Sequence, residues 1–270
     1  MRWPSALALT FLAAAAGVAA WPREVVAYAC YEPAIRVLPN GVSAPTDAIV
    51  RLRFPGPEAG VYRLGEGRVV LESARVRPED TVFVLRAPDG SAVPMRRRIL
   101  DGTDLPLLEL VPSAPLAAST EYRVVVRRGG SDFLLDAFTT GAPAKAPELE
   151  TPTAVRARFV RLAHVEYKET SGPWVRVVWK KMASPPPLFE VHALGEDDAI
   201  GKGTLRAVVE AGPTGLVFGH TSLCEPQDVV FPKSGKARYA LRPLDWAGHT
   251  GAPLRISVDL DHPSPVDPDR

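Results

Sequence analysis

Histidine and serine are the side chains here that could act as base and nucleophile or bind a metal, and their spacing forms no recognised motif. The five histidines are His164, His192, His220, His249 and His262. No two of them stand two or four residues apart, so a zinc or acid–base site would need convergence that only the fold supplies. His220 lies two residues before Ser222, but the Gly-x-Ser-x-Gly elbow that exposes a nucleophile is missing. The sequence therefore predicts no catalytic, metal or cofactor site.

Charged clusters offer two further candidates, one for calcium and one for anions. The carboxylates of Glu196–Asp198 and of Asp259–Asp269 could supply oxygen ligands, but the twelve-residue calcium loop with glycine at its sixth position is absent. We interpret them as acidic turns. In Arg96–Arg98 the alternation of a strand points two guanidinium groups to one side and one to the other. This run is typical of a solvated edge strand that resists pairing.

Three tryptophans could contact a ligand through their rings. Trp179 continues an apolar strand face and is expected in the core, whereas Trp174 stands at a strand start and Trp246 in a turn. Aromatic rings that keep one side in water are common at binding surfaces. Trp174 and Trp246 are therefore the candidate binding surface of the sequence.

The N-terminal segment bears on the redox state expected for the two cysteines, Cys30 and Cys224. Arg2 precedes the apolar run Ala6–Ala20, which is typical of a secretory signal peptide at residues 1–20, with Ala29 as an alternative end. Export would place both thiols in an oxidising compartment, where we expect them to form a disulfide. A free or lipidated Cys30 is the alternative. No later segment is long enough for a transmembrane helix, so none is expected after cleavage.

Period-two alternation of apolar and charged residues predicts strands along almost the whole remaining chain. Val50, Leu52 and Phe54 alternate with Arg51 and Arg53, as in a strand with one buried and one solvated face. The 28 prolines argue against long helices, because proline lacks a backbone donor. The predicted fold is all-β, with two β-sandwich domains in tandem after the signal peptide.

A segment rich in proline and small residues divides the chain. Residues 142–152 lack apolar periodicity and are predicted to be a linker. The domains are therefore expected at 32–141 and 153–261, and residues 262–270, rich in proline and aspartate, form a predicted flexible tail.

The first domain resembles the bacterial Ig-like domains of surface-layer and adhesin proteins. The resembling segments are Pro39–Ala48, Leu110–Pro112, Pro115–Ala117, Thr120–Tyr122 and Phe138–Gly141. The resemblance departs at residues 56–67, which are rich in glycine and lack the usual strand pattern. Tyr122 is similar to a tyrosine-corner residue, whose hydroxyl returns to the backbone upstream.

The second domain is similar to fibronectin type III modules. Val175–Trp179 resembles their second strand, Leu188–Val191 the third, and Tyr239–Gly248 the sixth strand with the turn after it. The segment at residues 195–234 has no clear counterpart. Both resemblances imply a binding or spacer role without an inherent active site.

The net charge limits the classes of partner that the protein is expected to bind. A formal net charge of +1 provides no electrostatic basis for binding nucleic acid. We expect an exported, non-enzymatic protein for adhesion, assembly or spacing at the cell envelope. Its expected location is secreted, periplasmic or on the cell surface, and its expected partner is a protein or glycan there. The alternative is an enzyme or a metal-dependent binder with a site formed by loops 56–67 and 195–234.

Overall fold

Strands joined by turns make up the described part of the computed structural model. It describes residues 35–40, 43–57, 59–64, 70–141, 149–161, 163–164, 170–171, 173–201, 203–219 and 227–264. No helix occurs among these residues, and hence none that is long and apolar enough to cross a membrane. The predicted all-β fold is confirmed. The proposed signal peptide and both cysteines lie outside the described residues.

The first sandwich has the strand order of an immunoglobulin-type domain. Its strands are β1 (Arg36–Leu38), β2 (Ser43–Ala44), β3 (Val50–Arg53), β4 (Ala59–Leu64), β5 (Val70–Val76), β6 (Val82–Arg86), β7 (Ala92–Val93), β8 (Met95–Leu100), β9 (Leu107–Pro112), β10 (Glu121–Arg128) and β11 (Ser131–Thr140). One sheet has the order β1-β3-β9-β8 and the other β2-β11-β10-β6-β7. This is the arrangement in which strands A, B, E and D face C, F and G.

A single apolar core lies between these two sheets. Val50, Leu52 and Phe54 contribute from one sheet, and Val124 and Val126 from the other. The predicted tyrosine corner is confirmed: the Ala117 N–H donates to the Tyr122 hydroxyl oxygen over 2.9 Å. This bond fixes the chain where it enters β10.

The second sandwich is built from one sheet that folds over its own core. Its strands are β12 (Arg156–Val160), β13 (Ala163–His164), β14 (Thr170–Ser171), β15 (Trp174–Val178), β16 (Leu188–Ala193), β17 (Leu205–Gly212), β18 (Gly215–Gly219), β19 (Lys236–Leu244) and β20 (Leu254–Asp259). Seven of them have the order β12-β15-β18-β17-β16-β19-β20, and β13 pairs with β14 separately. Strand β17 pairs with β16 along most of its length and with β18 at its end, so it turns the corner between the two layers.

The strands expected from the fibronectin resemblance are present. Val175–Trp179 falls largely on β15, Leu188–Val191 on β16, and Tyr239–Gly248 on β19 and the turn beyond it. Leaving aside β13 and β14, these are the second, third and sixth strands of the sandwich. The core collects apolar side chains from both layers, among them Phe159, Phe189 and Tyr239.

An apolar cluster joins the two sandwiches, which belong to one compact unit from Pro33 to Arg270. Its buried members are Leu38, Leu107, Leu188, Val208 and Leu244, with Trp246 partly buried against them. The first two lie on the sheet of β1, β3 and β9, and the next three on β16, β17 and β19. In each sandwich, the side of the sheet that faces away from its own core therefore packs at this junction. Both sides are shielded from solvent there.

Backbone contacts reinforce this junction. The Ile49 N–H donates to the Trp246 carbonyl over 2.8 Å, and the Asp104 N–H donates to the Arg206 carbonyl over 2.9 Å. Gly102 has a φ of +88°, and a β-carbon there would lie 3.1 Å from the α-carbon of Gly203. The positive φ and this close approach both favour glycine at position 102.

The structure corrects one sequence expectation and adds a contact to each of two other predicted segments. Residues 56–67 were expected to lack a strand pattern, yet they contain β4, which pairs with β5 as a separate hairpin. Glycine tolerates a strand backbone, but it breaks the alternation by which strands are detected. In the predicted linker, the Thr151 hydroxyl donates to the Ala252 carbonyl over 3.2 Å, and in the predicted tail the Ser264 N–H donates to the Phe159 carbonyl over 2.8 Å.

Replacing Tyr122 by phenylalanine tests the tyrosine corner. The variant keeps the ring and removes the hydroxyl that accepts from Ala117, so we expect the free energy of unfolding to fall by about 1 kcal/mol. Urea unfolding measures the loss, and amide hydrogen exchange locates it. Faster exchange at the Ala117 amide is the specific outcome expected. Unchanged exchange there would contradict this role for Tyr122.

Candidate functional site

Buried charges gather at the junction of the sandwiches, and they are the first place to look for chemistry. Arg51, Glu109 and Arg98 form one line across β3, β9 and β8, because each arginine stands opposite the glutamate in the strand register. Arg51 Nε lies 3.0 Å from Glu109 Oε1, and Arg98 Nε lies 2.9 Å from Glu109 Oε2. The side chains of Arg51 and Glu109 are only 2% and 4% exposed. Glu109 thus accepts from two guanidinium groups.

The second sandwich completes the electrostatic surroundings of Arg51. Burial lowers the pKa of Arg51, while Glu109, and then Glu190 and Asp245 across the junction, oppose that shift. Removing a charge from water is costly unless an opposite charge lies close by. These carboxylates therefore favour the charged form of the buried guanidinium.

A hydroxyl, an imidazole and a carboxylate also meet in the order of a hydrolase triad. The Thr204 hydroxyl lies 3.1 Å from His192 Nδ1, and His192 Nε2 lies 3.2 Å from Glu190 Oε2. However, the Thr204 hydroxyl donates its one proton to the Gly201 carbonyl over 2.8 Å and accepts from the Gly201 N–H over 3.1 Å. The Thr204 hydroxyl is thus held in a local turn by two hydrogen bonds to Gly201, and its contact with His192 Nδ1 is one of three that it makes.

The hydrogen bonds of the same cluster link β16 to its neighbours. Burial raises the pKa of Glu190, but hydrogen bonds from His192 and Arg242 outweigh burial, so the pKa is lowered overall. Sequence reasoning missed this contact. Glu190 and His192 stand two residues apart on a strand and share a face, which was the available signal.

Residues 227–230, at the end of the predicted loop 195–234, attach to the first sandwich. Arg53 Nη1 lies 3.0 Å from Asp228 Oδ2, and the Val230 N–H donates to Asp104 Oδ2 over 2.6 Å. Earlier in the same segment, Asp198 pairs with Arg238 at 3.0 Å. No group of three or more potential metal ligands occurs within the described ranges.

The other residues singled out in the sequence are dispersed. His249 Nδ1 lies 2.8 Å from Asp245 Oδ2, and this hydrogen bond raises the pKa of His249. His262 contacts Asp259 in the same manner at 3.1 Å. The positions of Cys30, Cys224, His220 and Ser222 lie outside the described residues.

The two tryptophans of the predicted binding surface do not share a surface. Trp174 is only 3% exposed, so the expectation that it stands exposed at the start of a strand is wrong. It begins β15 in the middle of a layer, between β12 and β18. Trp246 is partly buried and packs on the apolar clusters of the first sandwich and of the junction.

A surface able to meet a partner lies on the opposite side of the first sandwich, on β6, β10 and β11. We call it the outer face. Side chains there alternate with those of the core, so that Val84, Val125 and Leu134 form one cross-strand row and Val82, Arg127 and Asp132 the next. Leu134 and Val82 are each 57% exposed. Two large aliphatic side chains therefore remain in water on one face.

Ion pairs hold the charged groups of the outer face in place. Arg86 donates to Asp132 Oδ2 over 3.0 Å through Nε and 2.7 Å through Nη2, and to the Gly90 carbonyl over 2.9 Å. Arg127 Nε donates to the other oxygen of Asp132 over 3.2 Å. A carboxylate held from two sides limits the rotamers of both arginines, so these charged groups are ordered on the surface.

Two grooves lie on either side of this Arg127–Asp132 pair. The first, the Leu134 groove, has a volume of about 470 Å³ and is bordered by Pro88, Arg123 and Val125 as well as Leu134. The second, the arginine groove, has a volume of about 350 Å³. Its lining residues are Arg75, Val76, Arg77, Asp80, Thr81, Val82, Val126, Arg127 and Arg128.

Comparisons with known proteins do not assign the chain to a family. No protein-family model matches the chain, and no curated protein matches it. Among solved structures it is similar to the N-terminal Ig1-2 module of the Drosophila receptor protein tyrosine phosphatase DLAR, with a TM-score of 0.25, 11% identity, and coverage of 84% of this chain and 98% of that one. A structure of the tandem Ig repeats of Dlar gives a TM-score of 0.24 with the same identity and coverage. The fold assignment rests on the strand order of the two sandwiches.

Replacing Glu109 by glutamine tests the buried charges. The variant leaves Arg51 buried without its carboxylate, and we expect a loss of about 3 kcal/mol in the free energy of unfolding. The matched control is Glu121→Gln, because the Glu121 side chain is 54% exposed and pairs with Arg123 on the surface. The control should change stability by less than about 0.5 kcal/mol. Equal losses in the two variants, measured by urea unfolding, would refute the role of Glu109.

Proposed function

We propose that this chain is an exported, non-enzymatic β-sandwich protein that acts in adhesion, assembly or spacing at the cell envelope. Its partner is a protein or glycan at the cell surface, bound through the outer face. The observation that carries the proposal is the exposure of Leu134 and Val82 among ordered guanidinium groups. The leader-like sequence of residues 1–20 supports export.

The composition of the outer face is that of a recognition surface. Protein interfaces are enriched in arginine relative to the rest of the surface. Arg86, Arg123 and Arg127 provide cations there, and Leu134 provides an apolar contact that folding leaves in water. Exposed apolar area rimmed by polar groups marks sites where another molecule binds.

The finer family assignment forms part of the proposal. The first sandwich would be a bacterial Ig-like domain of the surface-layer or adhesin type, and the second a fibronectin type III-like domain. The tyrosine corner at Tyr122 supports the first assignment, and the positions of β15, β16 and β19 support the second. Both kinds of domain serve as spacers and binding modules, which agrees with the proposed role.

Binding to isolated native envelopes tests the proposal. Purified chain is mixed with envelope fragments, and the sedimented fraction is measured for the wild type, Leu134→Ser and the matched control Val230→Ser. Val230 is 63% exposed, and its N–H donates to Asp104 in the turn between β8 and β9, on the sheet opposite the outer face. We expect Leu134→Ser to weaken binding about fivefold or more, as for a residue central to an interface. We expect less than about a twofold change in the control, since most interface-remote substitutions are neutral. Wild-type protein that does not sediment, or equal losses in both variants, would refute the proposal.

A further inference from the structure

Strand β8 forms one edge of its sheet and has a partner strand on one side only. It pairs with β9 and ends the order β1-β3-β9-β8. Its four central residues, Arg96 to Ile99, are all exposed. An edge strand presents a row of backbone N–H and C=O groups that can bond to another strand. Within the described part of the chain, β8 therefore carries an open hydrogen-bonding edge.

The hydrogen bonds to β9 show which residues of β8 face the open edge. The Ser113 N–H donates to the Pro94 carbonyl over 2.9 Å, and the register of β8 and β9 places these two residues opposite each other. Hydrogen-bonded pairs alternate along an antiparallel ladder, so the even positions 96, 98 and 100 bond to β9. The backbone groups of Met95, Arg97 and Ile99 point outward. They form no hydrogen bond with any other described residue.

The side of β8 that faces away from the core of its sandwich carries charge. Arg96 and Arg98 point to that side, as does Glu109, which stands opposite Arg98 on β9. Glu109 is already held by Arg51 and Arg98. Arg96 makes no hydrogen bond or ion pair with any other described residue. Its guanidinium is therefore a cation whose N–H donors are available to a partner.

The other side of β8 combines an exposed apolar residue with a fixed charged one. Ile99 stands opposite the core residue Leu108, yet it is 41% exposed. Arg97 Nη1 donates over 3.0 Å to the carbonyl of Thr81, just before β6 in the facing sheet. A strand added beside β8 would cover Ile99 and remove its apolar surface from water, which favours association.

The charges of this edge determine which strand it accepts. Two antiparallel copies of β8 would place their consecutive arginines, Arg96–Arg98, against each other, and like charges directly opposite destabilise a pair of strands. Carboxylates at the corresponding positions stabilise the pair instead. The edge therefore favours an acidic strand over a copy of itself.

We propose that the open edge of β8 binds an extended segment of a partner protein in which carboxylate and apolar side chains alternate. The segment adds an antiparallel strand to the four-stranded sheet, with its carboxylates opposite Arg96 and Arg98 and its apolar side chains on the side of Ile99. This site goes beyond the proposed function, because the outer face lies on the other sheet of the sandwich.

Capped eight-residue peptides in which glutamate and valine alternate test the inference on the purified full chain. When the glutamates stand opposite Arg96 and Arg98, the valine amides bond to β8 and the glutamate amides face away. One peptide is N-methylated at its valines and its matched control at its glutamates, so that both keep the same charge and composition. Methylation at valine removes the donors to β8 and should raise Kd about tenfold or more. Methylation at glutamate should leave Kd within about threefold, since no bond to β8 is lost.

Amide hydrogen exchange and a charge reversal locate the bound peptide. The amides of Met95, Arg97 and Ile99 should gain protection, whereas those at positions 96 and 98 should change little because they already bond to β9. Arg96→Glu should raise Kd about fivefold or more, since an attractive cross-strand pair becomes a repulsive one. The matched control is Arg156→Glu, an exposed arginine on the terminal strand β12 of the second sandwich, and its Kd should stay within about twofold.

Several results would overturn the inference. They are no saturable binding up to about 1 mM peptide, equal losses from the two methylations, equal binding of a peptide with lysine in place of glutamate, and protection that appears outside β8. Leu134→Ser should bind the peptide as the wild type does, because Leu134 lies on the outer face. Peptide binding lost in that variant would place the peptide on the outer face and would equally contradict a site on β8.

Discussion

The structure depends on the burial of a sheet face that carries charged residues. Strand β3 turns Val50 and Leu52 to its own core and Arg51 to the other side, where the second sandwich covers it. A guanidinium in such a place must be matched by carboxylates, since the cost of desolvation would otherwise exceed any gain from packing. Glu109 from β9 provides the match, and Arg98 from β8 binds the second oxygen of Glu109. The paired charges and the apolar cluster around Leu188 are therefore buried in the same junction.

This constraint assigns different roles to the two exposed sides of the first sandwich. The sheet of β1, β3, β9 and β8 packs against the second sandwich through β1, β3 and β9, while β8 stays largely exposed. The opposite sheet keeps its outer face in water, and there Leu134 and Val82 remain exposed beside ordered arginines. A rigid junction would hold that face at a constant orientation to the second sandwich, which suits a protein that presents a surface or sets a distance.

Local patterns in the sequence predicted most of the strands, because period-two alternation depends only on neighbouring residues. They could not predict which polar faces are solvated. Arg51 and Arg53 alternate with apolar residues as in any half-buried strand, yet Arg51 is only 1% exposed. The sheet that covers Arg51 lies more than 130 residues further along the chain, so no local pattern could reveal this burial. The prediction that Trp174 is exposed was wrong for a related reason, since the first residue of a strand can lie in the middle of a layer. The outer face went undetected because its exposed aliphatic residues, Val82 and Leu134, lie on strands that are distant in sequence and adjacent only through β10.

Cutting the chain between the sandwiches measures the strength of the junction most directly. A protease site is placed between Gly141 and Leu149 in a Cys30→Ser, Cys224→Ser background, so that no disulfide can hold the fragments together. If apolar packing and paired charges join the sandwiches, the two fragments will elute together at the size of the uncut chain and unfold in one urea transition. Fragments that elute separately, or that unfold at two different urea concentrations, would contradict the account.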